Sequence, residues 1–211
     1  LIELYRKKYN LYIQLYKLYY ESVGNHVIGC SSAQIAKHIM NGGLHMLTNK
    51  SYKFWFCTGS QDLYGDECLK NVAKHSQIIV EELNKSGILP YEVVWKPTLI
   101  TNALIRQTFN EANMDDTCAG VITWMHTFSP AKSWIIGLQE YRKPLLHLHT
   151  QFNQEIPYDE IDMDFMNENQ SAHGDREYGH IVTRMGIERK VVVGHWSDEK
   201  VQERIGSWMR T

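Results

Sequence analysis

The sequence predicts an α/β protein: an open parallel sheet with helices on both faces, a three-layer sandwich of flavodoxin-like or Rossmann-like type. Three observations carry this. From Lys53 onward, short apolar runs alternate with longer stretches of helical periodicity. The runs are bounded by Gly or Pro, which interrupt regular structure. No repeat of fixed period and no low-complexity linker breaks the alternation. Strands separated by helices of this length pair in parallel and carry the helices on their faces.

Phe54-Trp55-Phe56-Cys57 is an apolar run ending at Thr58-Gly59, the signature of a buried first strand. Glu67 to Leu83 follows as a helix, with Leu69, Val72, Ile79, Val80 and Leu83 at helical spacing. Tyr91 to Trp95 is a second strand, entered through Pro90 and left through Pro97. Residues 101–112 are helical, and Ala119 to Met125 is the third strand. Ser129-Pro130 has the pattern of an N-cap followed by proline at the first helical position, opening a helix to about Tyr141. Pro144 to Leu148 forms the fourth strand. A segment reaching Met185 carries another helix, Lys190 to Val193 is the fifth strand, and Asp198 caps a last helix ending near Met209.

The chain of 211 residues is long enough to bury a sizeable core. Its 43% hydrophobic and 22% charged residues are ordinary for a globular protein. A net charge of −2 gives no electrostatic reason to expect nucleic acid or an anionic membrane as partner. Cys30, Cys57, Cys68 and Cys118 are widely spaced and form no CxxC pair, which points to a cytoplasmic protein without a disulfide framework.

The first 45 residues differ from the rest. They hold six of the twelve tyrosines, lack Trp and Phe, and begin at Leu1. Leu4, Tyr5, Tyr9, Tyr12, Leu15, Tyr16 and Tyr19 recur at helical spacing, so Leu1 to Ser22 is a candidate amphipathic helix. Arg6, Lys7, Lys8 and Lys17 make it a poor membrane span. Asn41-Gly42-Gly43 can be encoded by a ribosome-binding sequence just upstream of Met46, so translation is expected to begin at Met46. The expected organisation is therefore an extension, 1–45, and an α/β domain, 46–211.

In parallel sheets, ligands bind beyond the carboxyl ends of the strands. Those ends deliver Thr58, Ser60 and Gln61, then His126, Thr127 and Ser129, then His149, Thr150, Gln151 and Asn153, then His195. Such a polar rim suits a hydroxylated ligand without naming it. His147 and His149 share one side of a strand, a spacing that can chelate a metal, although hydrogen-bonded structural histidines are the plainer reading. Asp162, Asp164 and Glu168 form an acidic cluster resembling an oxygen-ligand site, against which a solvated loop or helix cap stands as the simpler account. Gly59 to Gly65 does not spell GxGxxG or a P-loop. Asp175, Arg176 and Glu177 have the pattern of a charged helix face. No Ser, His and acid grouping has the context of a nucleophile elbow.

Several longer motifs are more specific. Gly59-Ser60-Gln61-Asp62-Leu63-Tyr64-Gly65, Trp124-Met125-His126-Thr127-Phe128-Ser129-Pro130-Ala131-Lys132 and His149-Thr150-Gln151-Phe152-Asn153 resemble segments of the L-arabinose isomerases. So do Ile161-Asp162-Met163-Asp164-Phe165-Met166-Asn167, Asn169-Gln170-Ser171-Ala172-His173-Gly174 and Gly206-Ser207-Trp208-Met209. The resemblance is collinear from about Tyr52 to the last residue and corresponds to the N-terminal domain of that family. Asp62 departs from it, because some relatives carry His there.

The resemblance implies an aldose–ketose isomerase converting L-arabinose to L-ribulose, with D-galactose to D-tagatose as a side activity. It also implies a divalent cation, usually Mn²⁺, acting as Lewis acid and template beside carboxylates that move the proton. The catalytic glutamates and metal-binding histidines of the family lie in later domains, so no catalytic or metal-ligating residue is expected in this chain, and the chain alone is expected to be inactive. A homo-oligomer, a hexamer by family habit, is implied, in which this domain closes a neighbouring subunit's pocket. Carried over by motif, Gln61, Leu63, Tyr64, Phe128, Gln170 and His173 would face the sugar. For Leu63, Tyr64 and Phe128 the competing account is plain core or interface packing. The alternative function is a stand-alone flavodoxin-like or sugar-binding module without catalysis.

Overall fold

The computed structural model describes residues 52–159 and 161–211. The Leu1 to Ser22 helix, Cys30 and the start at Met46 lie outside the described residues. Lys50–Thr211 forms one compact unit.

Five parallel strands make one sheet in the order β2-β1-β3-β4-β5. They are β1 (Lys53–Gly59), β2 (Glu92–Trp95), β3 (Cys118–Met125), β4 (Leu145–His149) and β5 (Lys190–Val193). The helices between them are α1 (Gly65–Lys85), α2 (Asn102–Met114), α3 (Ile135–Glu140), α4 (Met163–Glu168), α5 (Ser171–Arg184) and α6 (Glu199–Trp208). A strand order that runs outward from β1 in both directions is the flavodoxin-like one, and it resolves the choice between the two expected topologies.

Two cores follow from the two-residue period of each strand. On one face Trp55 and Cys57 of β1 join Val121 and Met125 of β3 beneath Phe109, Leu138, Tyr178 and Val182. On the other, Phe54 and Phe56 join Ile122 and Trp124 beneath Ile79, Leu83, Val201 and Ile205. Helices α2, α3 and α5 thus cover the first face, and α1 and α6 the second. This is the three-layer sandwich, built because β1, β3 and β4 present apolar side chains on both sides.

Local chemistry sets most element ends. Thr101 caps α2 by accepting from the Leu104 amide at 3.2 Å, and Asp162 caps α4 by accepting from the Phe165 amide at 2.8 Å. Asp198 caps α6 as expected, accepting from the Lys200 amide at 2.9 Å. The segment before Met185 holds two helices, α4 and α5, where one was expected. The Ser129-Pro130 expectation needs correction. Pro130 has ψ 115°, outside the helical region, so a 3₁₀ turn at Ala131–Trp134 precedes α3. The Ser129 hydroxyl is not a cap, because it accepts instead from the Trp134 indole N–H at 3.0 Å.

Candidate functional site

The chain reverses its direction of winding between β1 and β3, and their carboxyl ends open the crevice where such folds bind ligands. Much of the polar rim expected there is buried. Thr58, Ser60, His126, Thr127, Ser129 and Thr150 are all 3% exposed or less. The Thr58 hydroxyl has no partner among the described residues, but the others hold loops together: Ser60 Oγ and Thr127 Oγ1 are 2.7 Å apart, bridging the ends of β1 and β3. Ser171 donates to the His126 carbonyl at 3.3 Å, and Thr150 accepts from the Trp196 amide at 3.1 Å. His195 is likewise committed, to Ser197 and to the Phe152 carbonyl. A buried polar group needs such partners, so a strand end rich in hydroxyls becomes a hydrogen-bonded floor.

The residues assigned by motif lie above this floor. Gln61 and Tyr64 are half-buried, and Leu63 is 82% exposed, all on the turn between β1 and α1. Gly65 ends that turn with φ +80°, a conformation that favours glycine and lets the Asp62–Tyr64 turn project before α1 begins. Phe128, half-buried after β3, packs its ring 4.8 Å from that of exposed His173 on α5. Gln170 immediately precedes α5 and donates to Asn167 Oδ1 at 3.3 Å. Leu63 is thus no core residue. His173 also lines an open groove along α5 with Ala172, Arg176, Glu177 and His180.

Two further clusters lie below the rim. His147 and His149 do not point at an open metal position: they flank one carboxylate, His147 Nε2 at 2.8 Å from Asp175 Oδ1 and His149 Nε2 at 3.4 Å from Asp175 Oδ2. Thr123 Oγ1 meets the other His147 nitrogen at 3.0 Å, so that histidine is a structural tie between β3, β4 and α5. Asp175 is correspondingly buried, which corrects its assignment to a charged helix face; Arg176 alone of that trio is exposed.

The second cluster joins His75 of α1, His126 at the end of β3 and Glu168 at the end of α4, with one ligating atom from each within 4.8 Å of the others. His75 Nδ1 is 2.7 Å from His126 Nε2 and 3.3 Å from Glu168 Oε1. Burial pushes the His126 imidazole down to about 3, with His75 beside it adding to the effect. Burial likewise lowers His75 to about 4, with Lys74 contributing. Both rings are therefore neutral near pH 7. Sequence reading missed His75 altogether, since it stands alone on a helix 51 residues from its partner.

The comparisons bear on all of these residues. A protein-family model described as "L-arabinose isomerase N-terminal domain" matches residues 48–211. This chain belongs to that family. Among curated relatives, the L-arabinose isomerase of Halalkalibacterium halodurans is 65% identical over 166 residues, covering 79% of this chain and 33% of the relative. That of Geobacillus thermodenitrificans is 64% identical over 166 residues, covering 79% and 34%. That of Clostridium beijerinckii is 61% identical over 164 residues, covering 78% and 33%. The chain spans about a third of the length of the curated relatives it matches. The matched L-arabinose isomerase domain contains the β1 turn, the Phe128–His173 pair and the His75–His126–Glu168 cluster.

Proposed function

We propose that this chain is the sugar-facing N-terminal domain of an L-arabinose isomerase, an aldose–ketose isomerase converting L-arabinose to L-ribulose and, less readily, D-galactose to D-tagatose. The observation that carries the reading is the family match over residues 48–211, with relatives of that name 60–65% identical. The described geometry supports a positioning role. Gln61, Leu63 and Tyr64 stand on the turn after β1, and Phe128, Gln170 and His173 stand at the neighbouring β3 exit and the start of α5. These offer two amides, an imidazole and three apolar or aromatic surfaces to a small polyol, enough to orient hydroxyls and exclude water.

The proposed cofactor is Mn²⁺, which would supply Lewis-acid polarisation of the sugar oxygens when bound. The described residues do not fit it. Their one cluster of three potential ligands has two imidazoles and a single carboxylate, whereas manganese favours oxygen donors. The proton transfer and the manganese site are accordingly assigned to other parts of the isomerase. The exposed Leu63 supports assembly as a homo-oligomer, with the β1 turn against a neighbouring subunit. Free Cys57 and Cys118, both buried, support a reducing, cytoplasmic setting. No helix among the described residues is long and apolar enough to cross a membrane.

A chimera tests the reading. Residues 46–211 would replace the matching segment of the Geobacillus thermodenitrificans L-arabinose isomerase, and ketose formation from L-arabinose would be measured with Mn²⁺. Turnover comparable to the parent enzyme is expected. A chimera that assembles like the parent but forms no ketose would overturn it.

A further inference from the structure

We propose that His75, His126 and Glu168 form a binding site for one divalent transition-metal ion of the zinc type. Three donors from three elements converge: Nδ1 of His75, Nε2 of His126 and a carboxylate oxygen of Glu168. Two imidazoles and one carboxylate are a donor set that zinc and its neighbours favour, three protein ligands leaving a fourth position for water.

Hydrogen counting shows why the cluster is unresolved without an ion. His75 Nδ1 lies within reach of both His126 Nε2 and Glu168 Oε1, but it can carry only one proton. If that proton is present, the two acceptors compete for it, and His126 holds its own proton on Nδ1. That nitrogen is buried and has no partner among the described residues. If the proton is absent and His126 donates, the Glu168 oxygen faces the edge of a ring with no hydrogen to give. Each neutral arrangement leaves a polar atom uncompensated, at a cost typical of buried groups. A cation at the centre takes all three lone pairs at once.

The surroundings hold the donors in place. Asn71, one turn before His75 on α1, donates to the second Glu168 oxygen at 3.1 Å, an outer contact of the kind that orients ligating carboxylates. The His75 ring stacks on Phe152 at 3.7 Å and 11°, and the His126 ring on Trp124 at 4.5 Å and 16°. His126 is fully buried, while the His75 and Glu168 side chains are 19% and 18% exposed, leaving an entry path from one side. Zinc bonds of about 2.0–2.1 Å at tetrahedral angles separate donors by roughly 3.3 Å. Taking up the ion therefore requires the 2.7 Å contact between the two rings to open by about 0.6 Å.

The inference does not rest on the isomerase reading, and its test reads binding rather than turnover. The tag-free 211-residue chain, stripped with a chelator, would be titrated with Zn²⁺ by calorimetry and with Co²⁺ by visible absorption. One saturable equivalent is expected, with cobalt d–d bands and no thiolate charge-transfer band. Glu168→Gln and His75→Gln, both at the partly exposed rim, should each weaken zinc binding by about tenfold or more. Cys68→Ser, whose thiol lies one turn before Asn71 on α1, should bind as the parent does. The absence of stoichiometric binding would overturn the proposal. So would a thiolate band in the cobalt spectrum, loss of binding in Cys68→Ser, or parent-like binding in either Gln variant. If a Gln variant fails to fold by circular dichroism, the cobalt spectrum of the parent decides between nitrogen–oxygen and thiolate ligation.

Discussion

At the scale of single residues, the site depends on how closely α5 approaches the exit of β3. A Cβ added at Gly174 would meet the Met125 Cβ and the Thr127 carbonyl oxygen, each at 2.9 Å. Neither is a flexible side-chain tip, so Gly174→Ala forces the helix outward. Overpacking of this kind costs about 1–3 kcal/mol, more than the roughly 1 kcal/mol that alanine gains over glycine in a helix. The urea midpoint should therefore fall at unchanged m-value, and the Phe128–His173 contact should loosen. An unchanged midpoint would mean that the β3 exit yields. Gln61 makes no side-chain hydrogen bond among the described residues. In the chimeric isomerase, Gln61→Ala should lower kcat/KM about threefold to tenfold, the worth of one lost hydrogen bond. Metal affinity should remain near that of the parent. Full efficiency in an intact oligomer would remove Gln61 from the pocket.

At the scale of elements, α1 and β3 are coupled through buried imidazoles, and this gives the fold a pH dependence. An unfolded histidine takes up a proton near 6.5. Folded His75 and His126 do so only near 4 and 3, because burial disfavours the charged rings. Between pH 6.5 and about 4 the unfolded chain thus binds more protons, and stability declines as the pH falls through that window. Thermal melts followed by circular dichroism in chelated buffer should show the midpoint dropping over this range. His75→Gln should flatten the drop. A slope identical to the parent's would place the acid sensitivity elsewhere. The turn between β3 and α3 makes a related point. Ser129-Pro130 has the residues of a helix start, but the Trp134 indole takes the serine oxygen and the chain forms a 3₁₀ turn first. A tertiary hydrogen bond outcompetes a local cap there.

At the scale of the whole molecule, the described residues from Lys53 onward supply a five-stranded sheet with a core on each face. Deleting residues 1–45 should leave the melting temperature of the remaining domain nearly unchanged. A large fall would show that the tyrosine-rich segment packs on it. The chain alone, given L-arabinose and Mn²⁺, should form no ketose, while the chimera does. Turnover by the purified chain would place a working acid–base pair among these residues.

The five strands, most of the helices and the family motifs were legible in the sequence, because periodicity and turn residues act within a few positions of one another. Phe54 to Cys57 declares a buried strand whatever it packs against, and Asp198 caps its helix through an amide two residues away. Only the tertiary structure chose the flavodoxin-like strand order, since both candidate topologies share the same local alternation. It also buried Asp175 between His147 and His149, and turned the hydroxyl-rich strand ends into a closed floor. Above all it joined His75 to His126 across 51 positions. That contact depends on where α1 lies on the face of β3, an outcome of packing around Trp124 and Ile79 that no spacing along the chain encodes.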